Sequence, residues 1–147
     1  MHKKVKKYIV DKKLFSLNRD KIILAISGGA DSISLLHVLL YLKVDIELAH
    51  CNFRLRNEES DKDEEFVKLI AKKYSLVIHS KSFDTELYAR EKRVSTQMAA
   101  RELRYNWFDK ILLDNNIDYI VTAHHLDDSI ETFFINLIRG SGIKGLI

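Results

Sequence analysis

Four short apolar runs stand out along the chain: residues 22–26 (IILAI), 45–50 (DIELAH), 76–80 (LVIHS) and 118–123 (DYIVTA). Each is too short for a helix and carries β-branched or aromatic side chains, so each reads as a buried strand. Between them, apolar positions recur every three or four residues and predict helices over 31–42, 58–74, 95–115 and 127–139. The second of these has Glu58, Glu59 and Asp61 in its first turn and Lys72 and Lys73 in its last, the polarity a helix dipole favours. On the fourth, Ile130, Phe133, Phe134, Leu137 and Ile138 form one stripe, with Asp128, Glu131 and Arg139 on the polar side and Asp127 as a candidate N-cap.

Strands that alternate with helices predict an α/β fold: a doubly wound, mostly parallel sheet with helices on both faces. Such a sheet takes its ligand outside the carboxyl ends of its strands. The residues that follow the first, second and fourth runs are therefore the places to look for chemistry. The chain ends in RGSGIKGLI, where Gly140, Gly142 and Gly145 read as a turn with a further strand expected after it. Residues 1–147 are thus expected to be a single domain and the N-terminal part of a longer chain.

Composition narrows the class. A chain that is 46% hydrophobic and 31% charged has the make-up of a soluble globular domain with a real core. No apolar stretch approaches the ~18 residues of a membrane span, and the lysine-rich start lacks the apolar centre of a signal peptide. The single cysteine, Cys51, excludes an internal disulfide and a multi-cysteine zinc or iron–sulfur site. These features predict a cytoplasmic protein with no membrane partner. The chain has no proline, for which nothing in the sequence offers a physical reason. The net charge of +3 is unevenly spread: residues 1–21 hold eight Lys/Arg and two Asp, a net +6, and the remainder is net −3. This basic N-terminal segment reads either as a solvated helix face or as a contact for a polyanion.

After the first run comes Ser27-Gly28-Gly29-Ala30-Asp31-Ser32. Glycines let a backbone approach a ligand, and a helix that starts there offers free N–H groups to an anion. Ser27 and Ser32 add hydroxyls. No lysine completes a GxxxxGK[ST] pattern, so Asp31 is placed to hold a magnesium ion instead. The plainer alternative is a tight turn with Ser or Asp capping the helix. The hexamer resembles the SGGxDS signature of the PP-loop ATP pyrophosphatases. That resemblance implies a Rossmann-like, adenine nucleotide alpha hydrolase-like domain that cleaves ATP between its α- and β-phosphates and grips the leaving pyrophosphate with Ser27, Gly28, Gly29, Ala30, Asp31 and Ser32.

After the fourth run comes AHHLDDSIETFFINLIRGSG. Asp128 and Glu131, three apart, stand beside His124 and His125. Taken alone, the stretch allows a metal site, an acid/base and magnesium site, or a capped amphipathic helix. It is similar to the AHHxDDxxET…RGSG block of the tRNA(Ile)-lysidine synthase family. HCNFRLRNEESDKDEEFV and STQMAARELRYNWF resemble two further segments of that family, so the resemblance covers roughly residues 20–147. Phe53-Arg54 stand where the family often has His-Gly, while Leu55-Arg56 are retained. A tRNA-thiolating relative shares a similar His-His-Asp-Asp block but uses cysteine pairs, which a chain with only Cys51 does not have.

The resemblance implies ATP and Mg2+ as cofactors, and free lysine and tRNA(Ile) with a CAU anticodon as partners. It implies Asp31, Arg104, His124, Asp128 and Glu131 as catalytic residues, Asp31 and Asp128 as magnesium ligands, and Arg101 and Arg139 as phosphate contacts. Full-length members carry further domains for tRNA. Arg90, Arg93, Gln97, Arg101 and Arg104 follow at spacings of three and four, and would share a face if one helix ran through them. The oligomeric state is left open, a homodimer included. Other PP-loop enzymes, a nucleotide-holding module without catalysis, and a metal phosphoesterase built on His124, His125 and Asp127 remain as rivals.

Overall fold

A computed structural model describes residues 2–125 and 133–139 of the chain. Strands β1 (Lys21–Ala25), β2 (Asp45–Asn52), β3 (Ile78–Ser82), β4 (Tyr119–His125) and β5 (Phe133–Arg139) form one sheet in the order β3-β2-β1-β4-β5. The first four are parallel: Ile22 sits between Ile46 of β2 and Tyr119 of β4, and β2 pairs Leu48 with Ile78 of β3. The order turns back on itself between β1 and β4, which is where a doubly wound sheet opens a crevice.

Helices cover both faces, as the alternation of elements predicts. Along β1, Ile22 and Leu24 point to one face and Ile23 to the other, the two-residue period of a strand. The first face is packed by α1 (His2–Asp11), α2 (Ala30–Tyr41) and α3 (Glu58–Lys73), through Val5, Ile9, Leu35, Leu39 and Val67 among others. The second is packed by Trp107, Phe108, Ile111 and Leu112 of α5 (Thr96–Asn115), which follows the short α4 (Thr85–Lys92).

Three expectations need correction. The helix read over 127–139 is not what residues 133–139 form: they are β5, antiparallel to β4, with Phe133 opposite His125 and Arg139 opposite Tyr119. FFINLIR is a short apolar run, and such a run fits a buried strand as well as a helix stripe. Pairing with it satisfies the backbone groups that β4 would otherwise leave unpaired on that side. Residues 126–132, with Asp127, Asp128 and Glu131, lie outside the described residues. The third strand is Ile78–Ser82 rather than 76–80. Finally, the arginines do not share one helix. Arg93 adopts a left-handed conformation (φ 55°, ψ 46°) that closes α4, and Ser95 caps α5 by accepting from the Met98 N–H.

The basic N-terminal segment builds α1. Val5 and Ile9 are buried while Lys3, Lys4, Lys6 and Lys7 are exposed, the pattern of a solvated outer face. His2 lies 4.1 Å, ring to ring, from Tyr41 at the end of α2, so α1 sits toward the amino ends of the strands.

Candidate functional site

The loop between β1 and α2 is held by its own side chains. Gly28 has φ +94°, a conformation that L side chains rarely adopt. A Cβ added there would make only ordinary contacts, with Val67, Phe66 and Asp63 of α3 at 3.6–3.8 Å, so backbone angle rather than crowding calls for glycine. Gly29 differs. Its dihedrals are ordinary, but a Cβ there would come within 3.3 Å of Ser27 Oγ, the atom that accepts a 3.2 Å hydrogen bond from the Gly29 N–H. Ser32 Oγ donates to the Gly29 carbonyl at 3.0 Å and lies 3.2 Å from Ser27 Oγ. The helix is capped by Gly29 itself with no side-chain bond, so capping by Ser or Asp does not explain the hexamer. The first N–H groups of α2 point out of the helix end, with Asp31 in that first turn.

These groups face a cavity of about 270 Å³, close to the lower end of the ~300–1,000 Å³ typical of ligand pockets. It is bounded by the loop, by Ala49, Cys51 and Phe53 of the β2 side, by Arg104 and Phe108 of α5, and by Thr122 and Ala123 of β4. Thus the carboxyl ends of β1, β2 and β4 converge on one space, at the crevice between β1 and β4.

Arg104 is positioned by aromatic rings rather than by a carboxylate. Its guanidinium carbon lies 5.2 Å from the centroid of Phe53, and Phe53 stacks on Phe83 at 5.6 Å and 19°. Phe83 in turn meets the edge side of Trp107 at 6.1 Å. Among the described residues no acid pairs with Arg104. Burial pushes the nearby Cys51 thiol up to about 12, against the opposing pull of the Arg104 charge, so it is an inert thiol in the cavity wall.

The other expected residues fall as follows. Arg101 is exposed, 4.8 Å over Tyr105, and is not in the cavity wall. Arg56 is engaged on the surface with Asp63 at 3.0 Å and Glu59 at 3.6 Å. His124 is the penultimate residue of β4, next after the cavity-lining Ala123 and opposite Phe134 in the register, whereas Arg139 pairs with Tyr119 at the amino end of β4. Among the described residues there is no group of three or more His, Cys, Asp or Glu that could hold a metal, and Asp31 is the acid at the cavity.

Sequence reasoning missed the support behind the loop. Asn52 is buried and donates to Asp61 at 3.0 Å and to Glu64 at 3.1 Å, while its Oδ1 accepts from the Arg54 N–H. Glu64 also accepts from Ser80 Oγ at 2.6 Å. The Ser80 bond, helped by Asn52 and Lys68 and opposed by partial burial, holds the Glu64 carboxyl below its ordinary range. A polar residue at an inward position of β2 was the available signal.

Comparison with known proteins gives a consistent result. The PP-loop domain family matches residues 1–147. A tRNA(Ile)-lysidine synthase of Bacteroides thetaiotaomicron is 52% identical over 147 residues, covering 100% of this chain and 34% of that protein. One of Porphyromonas gingivalis is 46% identical over 143 residues, covering 97% of this chain and 32% of that protein. One of Petrotoga mobilis is 42% identical, covering 98% of this chain and 47% of that protein. The chain therefore spans about a third to a half of the length of these relatives. Among solved structures, a U34-tRNA thiolase of Methanococcus maripaludis is similar in fold, with TM-score 0.60 and 21% identity over 86% of this chain and 46% of that one.

Proposed function

The chain belongs to the PP-loop domain family, and on that premise we propose that it is the nucleotide-activating part of an enzyme of the tRNA(Ile)-lysidine synthase type. The observation that carries the reading is the convergence at the β1–β4 crevice. A glycine loop opens α2, and Asp31 and Arg104, with which no acid among the described residues pairs, border the same cavity. ATP takes this cavity with its phosphates on the loop and its base toward Ala49, Cys51 and Phe53.

The roles follow from charge. The N–H groups at the start of α2 bind the leaving pyrophosphate. Arg104 stabilises the charge that grows on the transferring phosphoryl group. The oxygen on carbon 2 of the wobble cytidine of tRNA(Ile) attacks the α-phosphorus and pyrophosphate leaves. The amine of free lysine then adds at carbon 2, loses a proton, and AMP departs. His124 positions phosphate or moves that proton, and Glu131 holds or deprotonates the lysine ammonium. Arg101 and Arg139 are assigned to phosphate contacts on the family resemblance alone.

Asp31 suits a magnesium ion, which takes one or two carboxylates and completes its shell with phosphate oxygens and water. Asp128 would be the second carboxylate. When bound, the ion would neutralise phosphate charge that no loop lysine is there to offset.

A sulfur-inserting reaction is the less favoured reading. The one cysteine of the chain is half-buried in the cavity wall with its thiol pushed up to about 12. The test is transfer of labelled lysine: with ATP, the protein should attach lysine to tRNA(Ile) bearing CAU and not to a tRNA of another anticodon. Transfer of sulfur, or nucleotide binding with no change to tRNA, would overturn the proposal.

A further inference from the structure

β2 sends one more side chain toward the loop, from behind. His50 is 4% exposed, and its Nδ1 lies 2.8 Å from the carbonyl oxygen of Ile26, the residue at the root of the loop. A carbonyl can only accept, so Nδ1 carries the proton and donates. The same peptide unit is held on its other side, because the Ser27 N–H donates to Ser32 Oγ at 3.3 Å. In a trans peptide the C=O and N–H point in opposite directions. The plane of the Ile26–Ser27 peptide is therefore pinned at both ends, by His50 at its carbonyl and by Ser32 at its N–H.

We propose that His50 is a positioning residue: by fixing this peptide plane it sets the direction in which Ser27, Gly28 and Gly29 present themselves to a pyrophosphate group. The proposal deepens the ATP reading above and rests on it for the identity of the ligand. The chain of contacts is short. The peptide plane fixes where Ser27 Oγ stands, and Ser27 Oγ holds the Gly29 N–H at 3.2 Å. A hydrophobic residue would suit the surroundings better, since Leu48 and Val67 of the same face are fully buried. Instead the position holds an imidazole whose Nε2 has no partner among the described residues. A buried polar atom left without a partner is costly. It is tolerated here because the other nitrogen does a job an aliphatic side chain cannot. His50 reaches the ligand only through the loop, and it lies on the sheet face opposite Cys51 and the cavity, as the two-residue period of β2 requires.

Two substitutions separate the nitrogens. In His50→Asn the side-chain amide replaces the Nδ1–H donor and Nε2 is deleted. In His50→Phe the ring volume stays and the donor goes. Hydrogen exchange of the loop amides without nucleotide reads the clamp directly: residues 27–29 should exchange faster in His50→Phe and near the natural rate in His50→Asn. Binding reads its purpose: His50→Phe should lose ~10–100-fold affinity for Mg–ATP, the cost of a slightly misplaced group, with affinity for AMP unchanged and His50→Asn largely restored. Unchanged loop exchange in a folded His50→Phe protein overturns the clamp. Equal losses for ATP and AMP, or no rescue by asparagine, overturn its role toward pyrophosphate. A natural protein that ignores ATP altogether would instead sink the ATP reading, and the exchange measurement would still decide the clamp.

Discussion

At the scale of residues, Asp31 and Arg104 separate function from stability. Asp31 sits in the first turn of α2, half-exposed, where a carboxylate favours the helix by at most about 1 kcal/mol. Asp31→Ala should therefore leave the unfolding midpoint within a few degrees while pyrophosphate release falls beyond detection. A protein that unfolds, or one that keeps its turnover, contradicts this. The planar guanidinium of Arg104 lies 5.2 Å over the Phe53 ring, and a lysine ammonium does not reproduce its planar set of donors. Arg104→Lys should lower kcat/KM for ATP by on the order of 10–100-fold with the fold intact, and steady-state kinetics beside thermal unfolding check both halves. The glycine pair was legible from sequence, and the structure gives the two glycines different reasons: dihedral angle at Gly28, space at Gly29. The clasp of Phe53 on Arg104 was not legible, because it joins residues far apart in the chain by ring geometry alone.

At the scale of elements, the joint between β2, α3 and β3 depends on pH. Glu64 accepts from Ser80, Asn52 and Lys68, and its carboxyl is held below the ordinary range chiefly by the Ser80 hydroxyl. A depressed carboxyl contributes stability at pH above the unfolded value, and that contribution is lost as pH falls through the folded value. Ser80→Ala removes the leading cause, so stability near neutral pH should fall and the acid-unfolding midpoint should move to higher pH. An unmoved midpoint would show that Glu64 does not govern this joint. The strands and long helices were readable to within two residues because period two and period 3.6 reflect burial on one face or two. The segment 133–139 was misread because its five apolar residues in seven fit a short buried strand as well as a helix stripe, and partnership with the edge of β4 decides between them. The short helix α4 went unread, and whether helix ran on through Arg93 stayed open, because a left-handed cap by a residue other than glycine leaves little trace in sequence.

At the scale of the whole molecule, one sheet, parallel but for β5 and with its order reversing between β1 and β4, brings three carboxyl ends to a single cavity, and no helix among the described residues is long and apolar enough to cross a membrane. The site's location was legible from the alternation of strands and helices. Its substrate rests on the likeness to longer tRNA(Ile)-lysidine synthases. The claim at the centre is that the loop grips the two outer phosphates, which leaves the α-phosphorus open to attack. ATP labelled separately at its α- and γ-phosphates, incubated with protein, lysine and tRNA(Ile) bearing CAU, tests this most directly. The account predicts labelled AMP and labelled pyrophosphate in equal amounts, only when tRNA is present. Labelled ADP with free phosphate would contradict it.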